Sequence, residues 1–92
     1  MSDVYRALSD PTRRRILELL RERPMTAGEL AAHFPHAKPT MSGHFNTLKA
    51  ADLIVGEKSG TTITYRLNLS VLEEALMGLM NRFRIGRDDH DR

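Results

Sequence analysis

The spacing of apolar residues changes twice along this chain, and each change narrows the folds open to it. As far as Ala51 they recur three and four apart, from Leu53 to Leu67 they alternate, and from residue 70 the helical spacing returns. A run of helices, then a strand pair, then a last helix is the order this imposes. Ninety-two residues make one domain with a sufficient but small core, which favours burying further apolar surface by dimerising.

The helical part opens with a short amphipathic helix over residues 3–8, carrying Val4, Tyr5 and Leu8. In SDPTRRRILELLRER, Asp10 is an N-cap and Pro11 takes the first helical position, where its missing N–H costs nothing. Ile16, Leu17 and Leu20 form the buried stripe. Glu18 is within helical reach of Arg14 and Arg21, so most of the Arg13–Arg15 run reads as a paired, solvated surface. Arg13 projects towards Ile16 and Leu17 and is expected to be half-buried and hydrogen-bonded. Thr26 and Glu29 form a capping box, opening a third helix over roughly 27–34 that packs through Leu30 and Phe34 and stops at Pro35.

Residues 38–51, KPTMSGHFNTLKAA, follow after a connector too short for anything but a tight turn. Met41, Phe45 and Leu48 share one stripe; Pro39, Gly43, Asn46 and Ala50 lie opposite, flanked by Thr40, Thr47, Ser42 and Lys49. No acid occurs between Glu29 and Asp52, whereas Lys38, Lys49 and three histidines do. A small, acid-free, hydrogen-bonding front on an apolar back suits a nucleic-acid groove, because a carboxylate there would face phosphate. An ordinary surface helix has the same look in isolation, and the neighbours decide between them. A short helix, a tight turn and a polar-fronted helix make a helix-turn-helix. The alternating stretch 53–67, with Leu53 and Val55 then Ile63, Tyr65 and Leu67 inward, makes a hairpin turning at Ser59-Gly60 with Lys58 at its tip: a wing.

Ser70 and Glu73 spell a second capping box, and the last helix carries Leu72, Leu76, Leu79, Met80 and Phe83. That exceeds the needs of a small core, so a homodimer seam shared with Val4, Tyr5 and Leu8 is expected. Gly86 should end this helix, leaving a domain over 1–85 and a polar, disordered tail over 86–92. The fold class is therefore mainly α with a small β-hairpin, in the order α-α-α-α-β-β-α.

This order and these residues resemble the ArsR/SmtB winged helix-turn-helix repressors, and within them the metal-independent SdpR-like autorepressors. The resemblance covers residues 3–84 and rests on ALSDPTRRRILELL, the capping box with GELA, KPTMSGHFNTLKAADLI and GTTITYRLN, in that order. It implies a homodimer formed through the first and last helices, reading an inverted repeat in double-stranded promoter DNA. Lys38, Thr40, Ser42, His44 and Thr47 match the family's recognition positions, and Lys58, Ser59 and Thr61 its wing. With Pro39, Gly43, Asn46 and Lys49 from the front, these are the candidate DNA-binding residues. Two departures stand out: Ala37 replaces the usual serine N-cap, and Gly43 stands where a larger polar residue is common.

Other classes fit less well. Cysteine is absent, so there is no disulfide or thiolate site, and the metal-sensing branch's thiolate box would fall on Thr26 and Gly28, which are not ligands. His33 and His36 flank Pro35 with no evident third ligand, so neither metal nor cofactor is expected. Ser42 and His44, two apart on a helix, point in different directions and cannot form a nucleophile–base pair, which argues against an enzyme. A winged helix that binds only protein is the alternative. The amino terminus lacks an apolar leader and no stretch is long enough to span a membrane, so a cytoplasmic protein is expected. The sequence leaves open what relieves repression: a small-molecule effector, a sequestering protein, or the protein's own concentration.

Overall fold

A computed structural model describes residues 2–86 of the chain. Its elements are α1 (Ser2–Leu8), α2 (Pro11–Glu22), β1 (Met25–Thr26), α3 (Ala27–Ala31), α4 (Lys38–Ala50), β2 (Ile54–Ser59), β3 (Thr62–Leu67) and α5 (Leu69–Phe83). The expected tail beyond residue 86 lies outside the described residues.

Local chemistry sets most boundaries. Asp10 caps α2 by accepting the Arg13 backbone N–H at 3.1 Å, with Pro11 in the first turn. The α3 capping box is formed in both directions: the Thr26 hydroxyl accepts the Glu29 N–H at 3.0 Å, and the Glu29 carboxylate accepts the Thr26 N–H at 2.8 Å. At the far end of α4, Asp52 adopts a left-handed φ of 60°. The Asp52 N–H then reaches the Lys49 carbonyl and the Leu53 N–H the Leu48 carbonyl, at 2.9 and 3.0 Å. This Schellman closure brings the fully buried Leu48 and Leu53 together and turns the chain from helix into wing.

The core is shared by every layer: Ile16, Leu17 and Leu20 from α2, Leu30 from α3, Met41, Phe45 and Leu48 from α4, and Ile54 and Tyr65 from the sheet. The sheet has three strands in the order β1-β3-β2, all antiparallel. Its third strand, β1, is a two-residue addition in which Met25 pairs with Tyr65. Tyr65 also faces Gly56 across β2, and its ring lies so close that a Cβ on Gly56 would stand 2.9 Å from it. On its other side the ring packs on Phe45 with centroids 5.0 Å apart. Glycine at 56 is therefore what lets an aromatic ring couple the wing to α4.

Several expectations need correction. The inward residues at the start of the wing are Leu53 and Ile54, with Val55 only half-buried, because Leu53 is used by the Schellman closure before the strand begins. The turn is Gly60–Thr61, with Gly60 at φ 61°, so Lys58 pairs with Ile63 one step below the tip. α3 ends at Ala31, three residues short of the expected bound, and Phe34 packs from the turn that follows. The second capping box does not form: α5 starts at Leu69 with Asn68 as N-cap, and the Ser70 hydroxyl bonds the Asn68 side chain instead. α5 ends at Phe83, where Arg84 turns left-handed at φ 57°, ahead of Gly86. Glu18 pairs with Arg15 at 3.0 Å, not with Arg14 or Arg21.

The Asp10 cap generates a test with a pH signature. Burial pushes its carboxyl up, but the Arg13 N–H and the nearby His44 and Arg13 charges outweigh this, leaving it below the ordinary 3.8. A depressed folded value means stability present above the unfolded value and lost as pH falls through the folded one. Asp10→Ala should therefore cost about 1 kcal/mol at pH 7. In denaturant titrations the wild-type advantage should shrink as pH falls below 3.8. An advantage constant from pH 7 to pH 3 would contradict the cap's ionic character.

Candidate nucleic-acid interface

α4 is presented by its back. Met41, Phe45 and Leu48 are buried, while Lys38, Pro39, Thr40, Ser42, Gly43, Asn46 and Lys49 are exposed on the far side. The helix has no side-chain cap at Ala37, as the missing hydroxyl predicts. A Cβ built on Gly43 meets nothing within 4 Å, so no neighbour in the domain requires glycine there. Thr47 is half-buried, and its hydroxyl donates to the Gly43 carbonyl at 3.0 Å, leaving only oxygen lone pairs for an outside partner. Lys58, Ser59 and Thr61 are exposed on the wing, with Glu57 exposed beside them.

His44 departs from the expected front. Its side chain is 15% exposed and its Nδ1 lies 3.1 Å from Arg13 Nη1, with the Asp10 carboxylate at 3.9 Å. A guanidinium only donates, so this contact is a hydrogen bond when Nδ1 carries no proton. Arg13 also donates from Nε to the Ala7 carbonyl at 2.9 Å and from Nη2 to the Arg6 carbonyl at 3.0 Å. It thereby ties the end of α1 and the flank of α4 to α2. His36 joins the cluster: it stacks on Phe34 at 6.0 Å and hydrogen-bonds the Thr12 hydroxyl through Nε2 at 3.1 Å. His44 is thus engaged in seating α4, and His36, itself exposed, ties the turn before α4 to α2. Among the described residues no group of three or more His, Cys, Asp and Glu is placed to hold a metal ion.

The arginine run resolves in the same way. Arg14 donates to the Leu8 carbonyl at 2.9 Å and Arg15 pairs with Glu18. Arg14 is thus occupied with the Leu8 carbonyl that α1 leaves open at its end.

α5 is anchored to the domain through Val71, Leu72 and Ala75 and is otherwise bare. Leu76, Met77, Met80 and Phe83 are exposed, Phe83 at 64%. The expected dimer residues divide accordingly. Val4 is spent in the domain's own core, and Tyr5, Leu8 and Leu72 are half-buried against it. Leu79 is half-buried, and Leu76, Met80 and Phe83 stand free. The Tyr5 hydroxyl is buried and has no partner among the described residues. No helix among them is long and apolar enough to cross a membrane.

Comparison with known proteins agrees with this geometry. A helix-turn-helix domain family model matches residues 8–57, which run from the end of α1 into β2. The chain is 44% identical over 89 residues to the transcriptional repressor SdpR of Bacillus subtilis, covering 97% of this chain and 99% of that protein. It is 33% identical over 79 residues to the arsenical resistance operon repressor of Staphylococcus aureus, covering 86% and 76% of the two chains. Among solved structures it is similar to an ArsR family transcriptional regulator, with a TM-score of 0.84 at 28% identity, covering 91% of this chain and 92% of that one.

The open space at Gly43 makes a direct prediction. Gly43→Ala should raise the unfolding free energy by about 0.5–1 kcal/mol, since alanine loses less backbone entropy in an exposed helix interior. Denaturant midpoints at constant m-value measure it, and a destabilised variant would mean that the position is not open.

Proposed function

The chain belongs to the ArsR family of DNA-binding helix-turn-helix transcriptional repressors, and from that premise we propose that it acts as a homodimer on an inverted-repeat operator. The observation that carries this reading is the two-sidedness of α4: an apolar back fixed in the core, and an exposed front of small polar and basic residues without an acid of its own. In this reading Thr40, Ser42 and Asn46 reach base edges, with Asn46 suited to adenine through its two-pronged amide. Pro39 and Gly43 let the helix lie close to the bases, and Gly43 leaves room where a side chain would stand. Lys38, Lys49 and Lys58, with Ser59 and Thr61 of the wing, hold phosphates and supply a salt-dependent, sequence-blind share of the affinity. Thr47 is a weaker candidate because its hydroxyl hydrogen is committed to α4. His44 acts by seating the helix through Arg13, not by touching DNA.

The dimer follows from α5. A helix with an apolar face that its own domain leaves bare gains by covering it with a second copy. Two-fold pairing would set the two α4 helices about one DNA turn, roughly 34 Å, apart on one face of the duplex. Occupying a promoter in that way excludes polymerase, which is repression. A protein that works on promoter DNA acts where that DNA lies, the cytoplasm in bacterial relatives. Catalysis has no part in this mechanism.

Residue classes should separate in binding assays. Asn46→Ala should cost roughly 1–3 kcal/mol on the operator, found by selecting genomic fragments, and little on random DNA. Lys58→Ala should weaken both and reduce the salt slope by about one. Equal behaviour of the two variants on both DNAs would refute this division of roles. In analytical ultracentrifugation the wild type should sediment as a dimer at micromolar concentration, and Leu76→Glu should shift it to monomer and weaken operator binding. A wild type that stays monomeric removes the seam. A dimer that ignores DNA altogether favours the protein-binding alternative.

A further inference from the structure

The front of α4 is free of acids in sequence but not in space. α1 packs beside α4, and Asp3 and Arg6, one turn apart on α1, line a notch of about 210 Å³ together with Asn46, Thr47 and Ala50. Both α1 side chains are exposed. Neither takes part in the ion pairs among the described residues, which are Arg15–Glu18, Arg23–Glu29 and His44–Asp10. The backbone beneath them is held: the Arg6 carbonyl accepts from Arg13 Nη2 at 3.0 Å and from the Ser9 hydroxyl at 2.7 Å. A cation and a carboxylate without an ionic partner among the described residues are therefore presented on a ledge against the C-terminal half of α4.

We infer that α1 is a second DNA-reading element, with Arg6 binding a phosphate that borders the groove occupied by α4 and Asp3 selecting a cytosine beside the base met by Asn46. The inference rests on the DNA-binding reading above and adds two residues to it. An arginine at the edge of a groove-bound helix meets the backbone strand that walls the groove, and its charge displaces a counterion there. A carboxylate so close to phosphate is repelled unless it meets a donor, and the major-groove donor it best fits is the exocyclic N4 amine of cytosine. Asp3 would thus weaken binding to DNA in general and restore it only where that amine is offered, which is discrimination by an unfavourable contact.

The test uses the intact chain. Salt titrations on selected operator and on random duplex are run for wild type, Arg6→Ala and Arg21→Ala, an exposed α2 arginine that lines a groove with Leu67 and Leu72. Arg6→Ala should reduce the slope of log K against log salt by about one on both DNAs, while Arg21→Ala leaves it unchanged. An unaltered slope for Arg6→Ala, or an equal drop for Arg21→Ala, overturns the phosphate assignment and with it the proposal. Selection and sequencing with Asp3→Ala should lose a C·G preference at one position per half-site and show tighter binding to random duplex than wild type. A selected motif identical to that of wild type overturns the cytosine assignment and likewise the proposal. If wild type itself prefers no sequence over random duplex, the DNA-reading function fails first. If wild type selects an operator and both α1 variants match it, only this inference fails. Thermal unfolding of each variant confirms that the fold is kept.

Discussion

The Arg13 guanidinium is the interaction on which the rest of this structure depends. A seven-residue helix such as α1 is too short to stand alone in water, and its last carbonyls have no partners within it. α2 supplies them: Arg13 donates to the carbonyls of Arg6 and Ala7, and Arg14 to that of Leu8. The same Arg13 reaches His44, so one planar cation fixes α1 and α4 to α2 at once. A lysine there would keep the charge but lose the forked geometry that serves three acceptors. The orientation of α4 is thus set from the side by a hydrogen-bonded hub and from behind by Met41, Phe45 and Leu48.

The wing is tied to the same helix by different means. Leu53, buried by the Schellman closure, leads directly into β2, and the Tyr65 ring fills the space between Gly56 and Phe45. These contacts are apolar and well buried, so wing and helix share one rigid frame, with the hairpin turn as their free end. α5 stands apart from this frame. It adds little to the core and leaves most of its apolar face bare, which is the behaviour of an element whose partner lies in another molecule.

Much of this was legible in the sequence because the signals were local. Asp10-Pro11, Thr26 with Glu29, and the stripe of Met41, Phe45 and Leu48 each state their structure within a few residues. Where reading failed, the deciding partner was distant. Met25 becomes a strand only because Tyr65 passes beside it, and Arg14 turns from an expected partner of Glu18 into a cap because Leu8 ends a helix nearby. Ser70 and Glu73 have the spacing of a capping box. Yet α5 begins at Leu69, because the Asn68 N–H is held by the Leu53 carbonyl at 2.9 Å and places the N-cap two residues earlier. The partners of the histidines were hidden for the same reason. Nothing adjacent to His36 or His44 announces that Thr12 and Arg13 complete them. What was legible along α4 and the wing was exposure: Lys38, Thr40, Ser42, Asn46 and Lys58 face solvent as their place in the pattern predicts.

The proposed division of α4 into a holding side and a reading side has a physical consequence. The helix lacks a side-chain cap at Ala37 and carries glycine at an open interior position, so its intrinsic stability is low. It persists because its back is buried and its flank is held by Arg13. Stability and recognition therefore rest on different residues of the same thirteen. Changes on the front at Thr40, Ser42, Gly43 or Asn46 leave the core untouched, so the bases read can alter while the fold stays. A change at Phe45 or Arg13 acts in the opposite sense, disturbing the placement of every front residue together. Loss of binding caused by a back-side variant would report a misplaced helix, and only front-side variants can report which bases are read.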